Sequence, residues 1–366
     1  MFEDAQKLGM TFEPPDVNRG RYRFEPVTNT VIRYGLGAVK GTGQAAIEAI
    51  VAARESGGPF TSLFDFCNRV DRQRLNKRTV DALIKAGAFD AIHQNRASLV
   101  ASIDRAFEYA AAQAANVNQG GLFDMADDGH GSSTQEPELV EARPWGIKER
   151  LTFEKPAVGF YLSGHLFDEV SREVRQFVRR EIAEPGDSRD AVVLAGIITE
   201  LRVINGQRGK LALMKLDDKS GVIEATADEG VLTTYRALLK DDELVIINGK
   251  LQPDRFTGGV RLKVEHVWDL ATARCRFGKF LRVAVNGKVP DIQRIVRDFP
   301  PVKEQSEEGE LLRGLEVRLS LKRETGGMEV GVDLKLDERS LFFPTDAALS
   351  SWVAQADHGK AMIVYE

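Results

Sequence analysis

The spacing of apolar positions changes character along the chain. Residues 28–110 carry apolar side chains at helical spacing, broken by Gly-rich turns, so a bundle of helices is predicted there. Residues 111–143 lose any period. An Ala/Gln/Asn stretch passes into Gly, Asp and Ser and then EPELVEARP, which reads as a flexible linker. Residues 144–188 form a helical connector, with a helix in WGIKERLTFEKPAVGFYLSG and a second amphipathic stretch in FDEVSREVRQFVRR. From Ala191 the period switches to two.

Within residues 189–272 five strands are predicted: AVVLAGIITELRV, KLALMKLDD, GVIEATAD, ELVIINGKLQP and GVRLKVEHVWDL, with one helix, VLTTYRALLK, after the third. The order β-β-β-α-β-β is that of the OB-fold barrel, a scaffold for single strands. Residues 273–366 read β-α-β-β-α-β, a split-βαβ pattern without evident chemistry. The expected class is therefore multidomain α+β.

Composition narrows the picture. With 43% hydrophobic and 29% charged residues in 366, the chain reads as globular and long enough for two or three domains. No run of about eighteen apolar residues occurs, so no membrane association is expected, and MFEDAQKLGM carries acids where a signal peptide carries bases. Cys67 and Cys275 lie far apart and suggest no disulfide framework, which makes a reducing cytoplasm the expected location. The five histidines are scattered without metal-ligand spacing. Net charge is −5, yet residues 17–110 hold fourteen Lys/Arg against nine Asp/Glu, and residues 111–142 hold no Lys/Arg and six acids. A basic module is followed by an acidic tether.

In the basic module, RYGLGAVKGTGQAAIEAIVAAR places Gly35, Gly37, Gly41 and Gly43 around a short turn. A helix with an apolar face of Ile47, Ile50 and Val51 follows. Glycines at such a turn leave backbone N–H groups bare at the positive end of a helix, where a phosphate oxygen approaches unobstructed. Gly37, Lys40, Gly41, Thr42 and Gly43 are thus candidate contacts to a duplex backbone, in the manner of a helix-hairpin-helix. The rival reading is a tight turn between packed helices. A second hairpin is suggested by LNKRTVDALIKAGAFDAI, with Lys77 and Arg78 as contacts, although Gly87 there also suits a helix C-terminus. In the barrel, Arg202, Arg208 and Lys210 flank the first turn and are candidates for single-strand contact. Aromatic residues are sparse around that turn. Asp217 and Asp218 in LDDKSG read as turn formers rather than a metal site. RREIAEP and KEQSEEGE read as solvated charge runs, and Ser163 and His165 as a helix end and a turn.

The acidic tether contains QGGLF. Gln119, Leu122 and Phe123 match a short peptide that docks in a hydrophobic pocket, with the glutamine at the rim and two apolar anchors inside. A staple folded back on the preceding helix is the alternative.

EPPDVN, YGLGAVKGTG, LNKRTVDALIKAGAFDAI, QGGLF, GFYLSGH and LDDKSGVIEATAD occur in that order. The set resembles the C-terminal third of the bacterial replicative DNA polymerase III α subunits. Two departures stand out: Pro156 replaces the usual acid, and Leu166 stands where the family's LGFYLSGHP ends in proline. The resemblance implies an end-of-fingers segment over residues 1–27, a tandem helix-hairpin-helix module over 28–110 and a clamp-binding peptide in 111–143. It further implies an OB domain over 189–272 and a terminal domain over 273–366 that contacts the clamp-loader τ subunit. Implied partners are primer–template duplex, single-stranded template, the β sliding clamp and τ. The intact QGGLF favours the replicative type over a mutagenic relative that typically lacks it.

The family is a DNA-directed DNA polymerase whose palm carboxylates hold two Mg²⁺ ions. That palm is expected upstream of Met1, so this chain is expected not to synthesise DNA, to carry no catalytic residue and to need no cofactor of its own. Two other readings stay open at this stage: a stand-alone clamp-binding adaptor without catalysis, and an RNA-binding OB domain.

Overall fold

The computed structural model describes residue 5 and residues 8–120, 135–185, 190–206, 209–253, 259–286, 289–306, 309–325 and 328–365. The chain divides into two compact units, one ending at Glu169 and one beginning at Val170.

The first unit opens with a small sheet in which β1 (Thr11–Glu13) runs parallel to β3 (Val31–Arg33) and β2 (Glu25–Pro26) antiparallel to it. A 3-10 turn, Leu36–Ala38, leads into α1 (Gln44–Gly57), which buries Ala46, Ile47, Ala49 and Ile50. Then come α2 (Leu63–Arg69), α3 (Lys77–Lys85), α4 (Arg96–Ala101), α5 (Ile103–Gly120) and α6 (Ile147–Val158). Side chains fix three of these starts. Ser62 accepts from Asp65 N–H, Asn76 from Thr79 N–H, and Asn95 from Ala97 and Ser98 N–H. Each such cap is worth about 1 kcal/mol, because helix-end donors otherwise lack partners. The core is aromatic: the Phe60–Phe66 and Phe66–Phe89 ring pairs both meet edge to face at 4.9 Å.

The linker expected over residues 111–143 is shorter than its composition suggests. The Ala-rich stretch continues α5 to Gly120, alanine being the best helix former. Past the acidic segment the chain returns to the bundle. Val140 N–H donates to Ser102 Oγ (2.8 Å), Ala142 N–H to Ser98 Oγ (3.1 Å), and Asn95 Nδ2 to Ala142 O (2.8 Å).

A buried ionic cluster ties α6 to the bundle. Arg96, 3% exposed, makes a two-pronged pair with Asp90 (2.8 and 2.6 Å) and donates to Glu154 Oε2 at 3.0 Å. The other oxygen of Glu154 accepts from Leu162 N–H (2.6 Å) and Ser163 N–H (2.8 Å). Burial alone would lower the Arg96 pKa, but its hydrogen bonds to Asp90 and Glu154 outweigh that and raise it, so the guanidinium stays charged. This explains GFYLSGH: its amides wrap the carboxylate of the preceding helix. Pro156 sits inside the last turn of α6 without breaking it. Gly159, at φ +103°, then ends the helix.

The second unit begins with α7 (Ser171–Val174), only one turn of the amphipathic helix expected there. The stretch RREIAEP is not merely solvated. Ile182 joins the barrel's core, and its N–H donates to Asp218 Oδ2 at 3.0 Å.

The barrel closes from β4 (Val192–Gly206), β5 (Gly209–Asp217), β6 (Val222–Ala227), β7 (Leu244–Pro253) and β8 (Val260–Trp268), in the order β4-β5-β6-β8-β7. The helix α8 (Glu229–Thr234) sits between β6 and β7, as the pattern predicts, and the β6–β8 contact is parallel. Asp218 is a turn residue. It accepts from Ser220 Oγ (2.5 Å), Ser220 N–H (3.0 Å) and Arg175 Nη2 (2.6 Å). Burial would raise its pKa, but these bonds outweigh burial and hold it below the usual carboxylate range.

The terminal domain comprises α9 (Leu270–Phe277), β9 (Gly278–Val285), α10 (Ile292–Asp298), β10 (Val302–Ser306), β11 (Gly309–Arg313), β12 (Val317–Thr325), β13 (Met328–Lys335), α11 (Asp346–Gln355) and β14 (Ala361–Tyr365). Its sheet order is β13-β12-β9-β14. The parallel pair β9–β12 is adjacent, so the βαβ unit is not split by an intervening strand. The charge run KEQSEEGE contributes to a two-stranded hairpin, β10–β11, inserted between α10 and β12. Arg274, on α9, anchors this domain: it pairs with both oxygens of Glu173 (2.7 Å each) and with Asp346 (2.7 Å), while Tyr365 OH donates to Glu173 (2.5 Å).

Candidate nucleic-acid interface

The glycine turn is built from groups with opposite duties. Gly37 N–H donates to Tyr22 O at 3.0 Å, and a Cβ on Gly37 would lie 2.3 Å from the Tyr22 ring. Its glycine therefore serves close packing, and its amide is not offered to a ligand. This corrects its place among the backbone-gripping residues. Lys40 N–H donates to Ala157 O (2.8 Å), and Thr42 Oγ1 to Val39 O (2.7 Å) and Leu36 O (3.0 Å). Those bonds fix the turn.

What remains is Gly41 at φ +95° and Gly43 as the N-cap of α1. The N–H groups of Gly41, Gly43, Gln44 and Ala45 have no acceptor among the described residues. A Cβ on Gly43 would meet nothing within 4 Å, and its φ of −101° suits any residue. No steric demand asks for glycine there, although glycine is also a favoured N-cap. Bare amides at the start of a fourteen-residue helix, with open space in front, fit an anionic oxygen.

The second candidate set lies beside the first. Thr79 Oγ1, on α3, donates to Gly41 O at 3.5 Å, and Ala82 lies under Gly41. Lys77 and Arg78, in the first turn of α3, are both exposed. Lys77 reaches Asp104 at 2.5 Å, whereas Lys40 and Arg78 have no ion pair among the described residues. The structure thus gathers Lys40, Gly41, Thr42, Gly43, Lys77 and Arg78 into one region of the first unit.

On the barrel, register decides what faces outward. Directly paired residues share a face. Through Arg202↔Leu213, Leu213↔Thr226, Thr226↔Lys263 and Lys263↔Lys250, one outer row crosses all five strands. It carries three cations and no acid. The next row holds Glu200, Lys215, Glu224 and Arg261, and it is internally neutralised: Lys215 pairs with Glu200 (2.7 Å) and Arg261 with Glu224 (2.9 Å). A depression of about 260 Å³ lies across both rows.

The expected trio of Arg202, Arg208 and Lys210 does not form one stripe. Arg202 sits mid-strand and pairs with Glu200. Lys210 has the parity of the inward residues Ala212 and Met214, opposite to Arg202. Arg208 lies outside the described residues, as do Leu122 and Phe123. Gln119 falls in the last turn of α5. Sequence reasoning missed Lys263, which register alone reveals. It also missed Glu154, whose only signal was an acid in an otherwise buried helix face.

No helix among the described residues is long and apolar enough to cross a membrane. Comparison with known proteins agrees with the architecture. A helix-hairpin-helix motif family matches residues 9–99, and an OB-fold nucleic acid binding domain family matches residues 192–270. The DNA polymerase III subunit alpha of Neisseria meningitidis is 44% identical over 286 residues, covering 78% of this chain and 25% of that protein. Those of Pseudomonas aeruginosa and Escherichia coli are 38% and 33% identical, covering 78% and 81% of this chain and 26% of each relative. The chain thus spans about a quarter of the length of these relatives. It belongs with the DNA polymerase III α subunits, of which it fits a C-terminal segment.

Proposed function

We propose that this chain is the DNA-handling and tethering segment of a replicative polymerase. The Gly41–Gly43 turn, with Lys40, Lys77 and Arg78, grips the duplex backbone without reading sequence. The outer row of the barrel tracks single-stranded template. Gln119, Leu122 and Phe123 engage a sliding clamp, and the terminal domain meets the τ subunit of the clamp loader. Nucleotide addition, with its Mg²⁺ ions, belongs to a palm domain outside this chain.

The observation that carries this reading is Gly43: glycine where no steric demand exists, beside four unengaged amides. Gly43→Ala tests it. The methyl group has room in the free protein, and alanine is only a poorer N-cap than glycine, so the loss of stability in a urea melt should not exceed about 1 kcal/mol. In the complex the methyl stands where a phosphate oxygen would approach, and duplex affinity should fall about tenfold, roughly the loss of one charge-assisted hydrogen bond. Unchanged duplex binding in an anisotropy titration would remove the turn from the interface. For the tether, Leu122→Ala with Phe123→Ala should abolish capture on immobilised sliding clamp while leaving thermal unfolding unmoved. Retained capture would refute the peptide assignment.

A further inference from the structure

The strand β8 contains an irregularity that changes which side chains it shows. Leu262 and Val264 face the barrel interior, and so does Val267; all three are at most 1% exposed. Two even positions are followed by an odd one, because the pairing with β7 shifts between Asn248 and Gly249. The extra residue is Glu265, which pairs with Lys250 at 3.4 Å. A bulge of this kind re-aims everything beyond it. Without it, His266 and Trp268 would share the inward parity of Leu262 and Val264. With it, both rings stand on the outer face, on the same strand as Lys263.

Those two rings form a matched pair. His266 and Trp268 are parallel to within 4°, with centroids 6.3 Å apart. Residues two apart on a strand are separated by about 6.6 Å, close to twice the ~3.4 Å rise at which bases stack along a DNA strand. Two parallel rings at that centroid spacing present matched faces for stacking a planar base. His266 is exposed, and its Nδ1 lies 3.2 Å from Tyr235 OH, which fixes the imidazole plane. Trp268 is half-buried and braced edge-on by Phe277 at 5.8 Å. The exposed guanidinium of Arg276 stands over the indole at 4.5 Å. Cations therefore lie near both rings, Lys263 three residues before His266 on the strand and Arg276 over the indole.

We propose that His266 and Trp268 form a base-stacking slot that takes one unpaired nucleobase of a single strand, with Lys263 and Arg276 neutralising its flanking phosphates. The chemistry needs no hydrogen-bond readout, since every base has a π-face, so the slot is tolerant of sequence. It supplies the aromatic platform missing from the first barrel turn. This rests on the reading of the barrel as a single-strand binder, and it extends the path from the cationic row towards the C-terminal end of β8.

The test is an anisotropy titration of the full chain with a short labelled oligothymidylate. His266→Ala and Trp268→Ala are each expected to weaken binding about tenfold, and Trp268→Phe to restore most of the loss. An abasic oligonucleotide with the same phosphates should bind wild type and variants alike. His266 is exposed, so His266→Ala keeps the experiment valid if Trp268→Ala loosens the Phe277 contact. Variants that bind oligothymidylate like wild type would overturn the slot. If Lys263→Glu then still abolishes binding, the barrel remains a single-strand binder by its cationic row alone. If wild type binds no single strand at all, the underlying reading fails together with the slot.

Discussion

On the proposed reading, the glycine turn and the barrel face would address the same polymer with different kinds of group. The turn presents backbone amides held by a fixed loop, with Lys40 and Arg78 as mobile charges beside it. The barrel presents side chains sorted by strand register, some free and some already paired across the sheet. A backbone site offers few positions, such as Gly43, where a substitution reaches it without disturbing the loop, and it is held in place by its buttresses. A side-chain site is adjustable one residue at a time. The first should respond to damage in its scaffold, the second to small changes of charge on its surface.

The scaffold behind the turn offers the largest effect. Lys40 N–H and the Tyr34 hydroxyl both donate to the C-terminal end of α6, at Ala157 O (2.8 Å) and Val158 O (3.0 Å). One turn earlier, the fully buried Glu154 ties α6 to Arg96 and to the following loop. Glu154→Ala removes one partner of the Arg96 guanidinium, which keeps Asp90 and Lys85 O, and leaves the half-buried Leu162 and Ser163 amides without their acceptor. A buried group left without its partner costs about 1–3 kcal/mol. A urea melt should therefore show that loss in the first unit, with duplex binding falling along with it. A loss below about 1 kcal/mol would mean the pair is replaceable by water, and the turn would not depend on α6.

How much of this was legible beforehand follows from the same division. The turn could be read from sequence because its determinants are local: four glycines, a lysine and a helix within one short stretch. The five barrel strands and their helix were equally legible from period alone. Register was not. Whether Arg202 shares a face with Lys210 or with Lys263 depends on pairings between strands that no local spacing encodes. The bulge that turns His266 and Trp268 outward is likewise visible only when β7 and β8 are side by side. Composition misled at 111–120, where alanines in a polar stretch continue a helix rather than begin a linker. The non-split βαβ unit was missed because order along the chain does not fix order across a sheet.

The barrel face offers the smallest and most diagnostic effect. Glu200 holds both Arg202 and Lys215, and its hydrogen bond from Lys215 is the main cause that keeps its carboxyl below the usual range. Its negative charge therefore persists well into acid, and it offsets cations that could otherwise neutralise phosphates. Glu200→Gln keeps the shape and removes the charge. Single-strand affinity should rise about two- to threefold, and the slope of log affinity against log salt should steepen by up to about 0.7, the value for one additional neutralised phosphate on a single strand. The sign with pH is fixed by the depressed pKa: wild type should gain the same increment only as pH falls through the titration of Glu200, below the ordinary carboxylate range. Glu200→Gln should show no such gain over that window. A titration in which both proteins respond identically to salt and acid would place the strand away from Arg202, and the barrel would then meet its ligand on a face other than the cationic row.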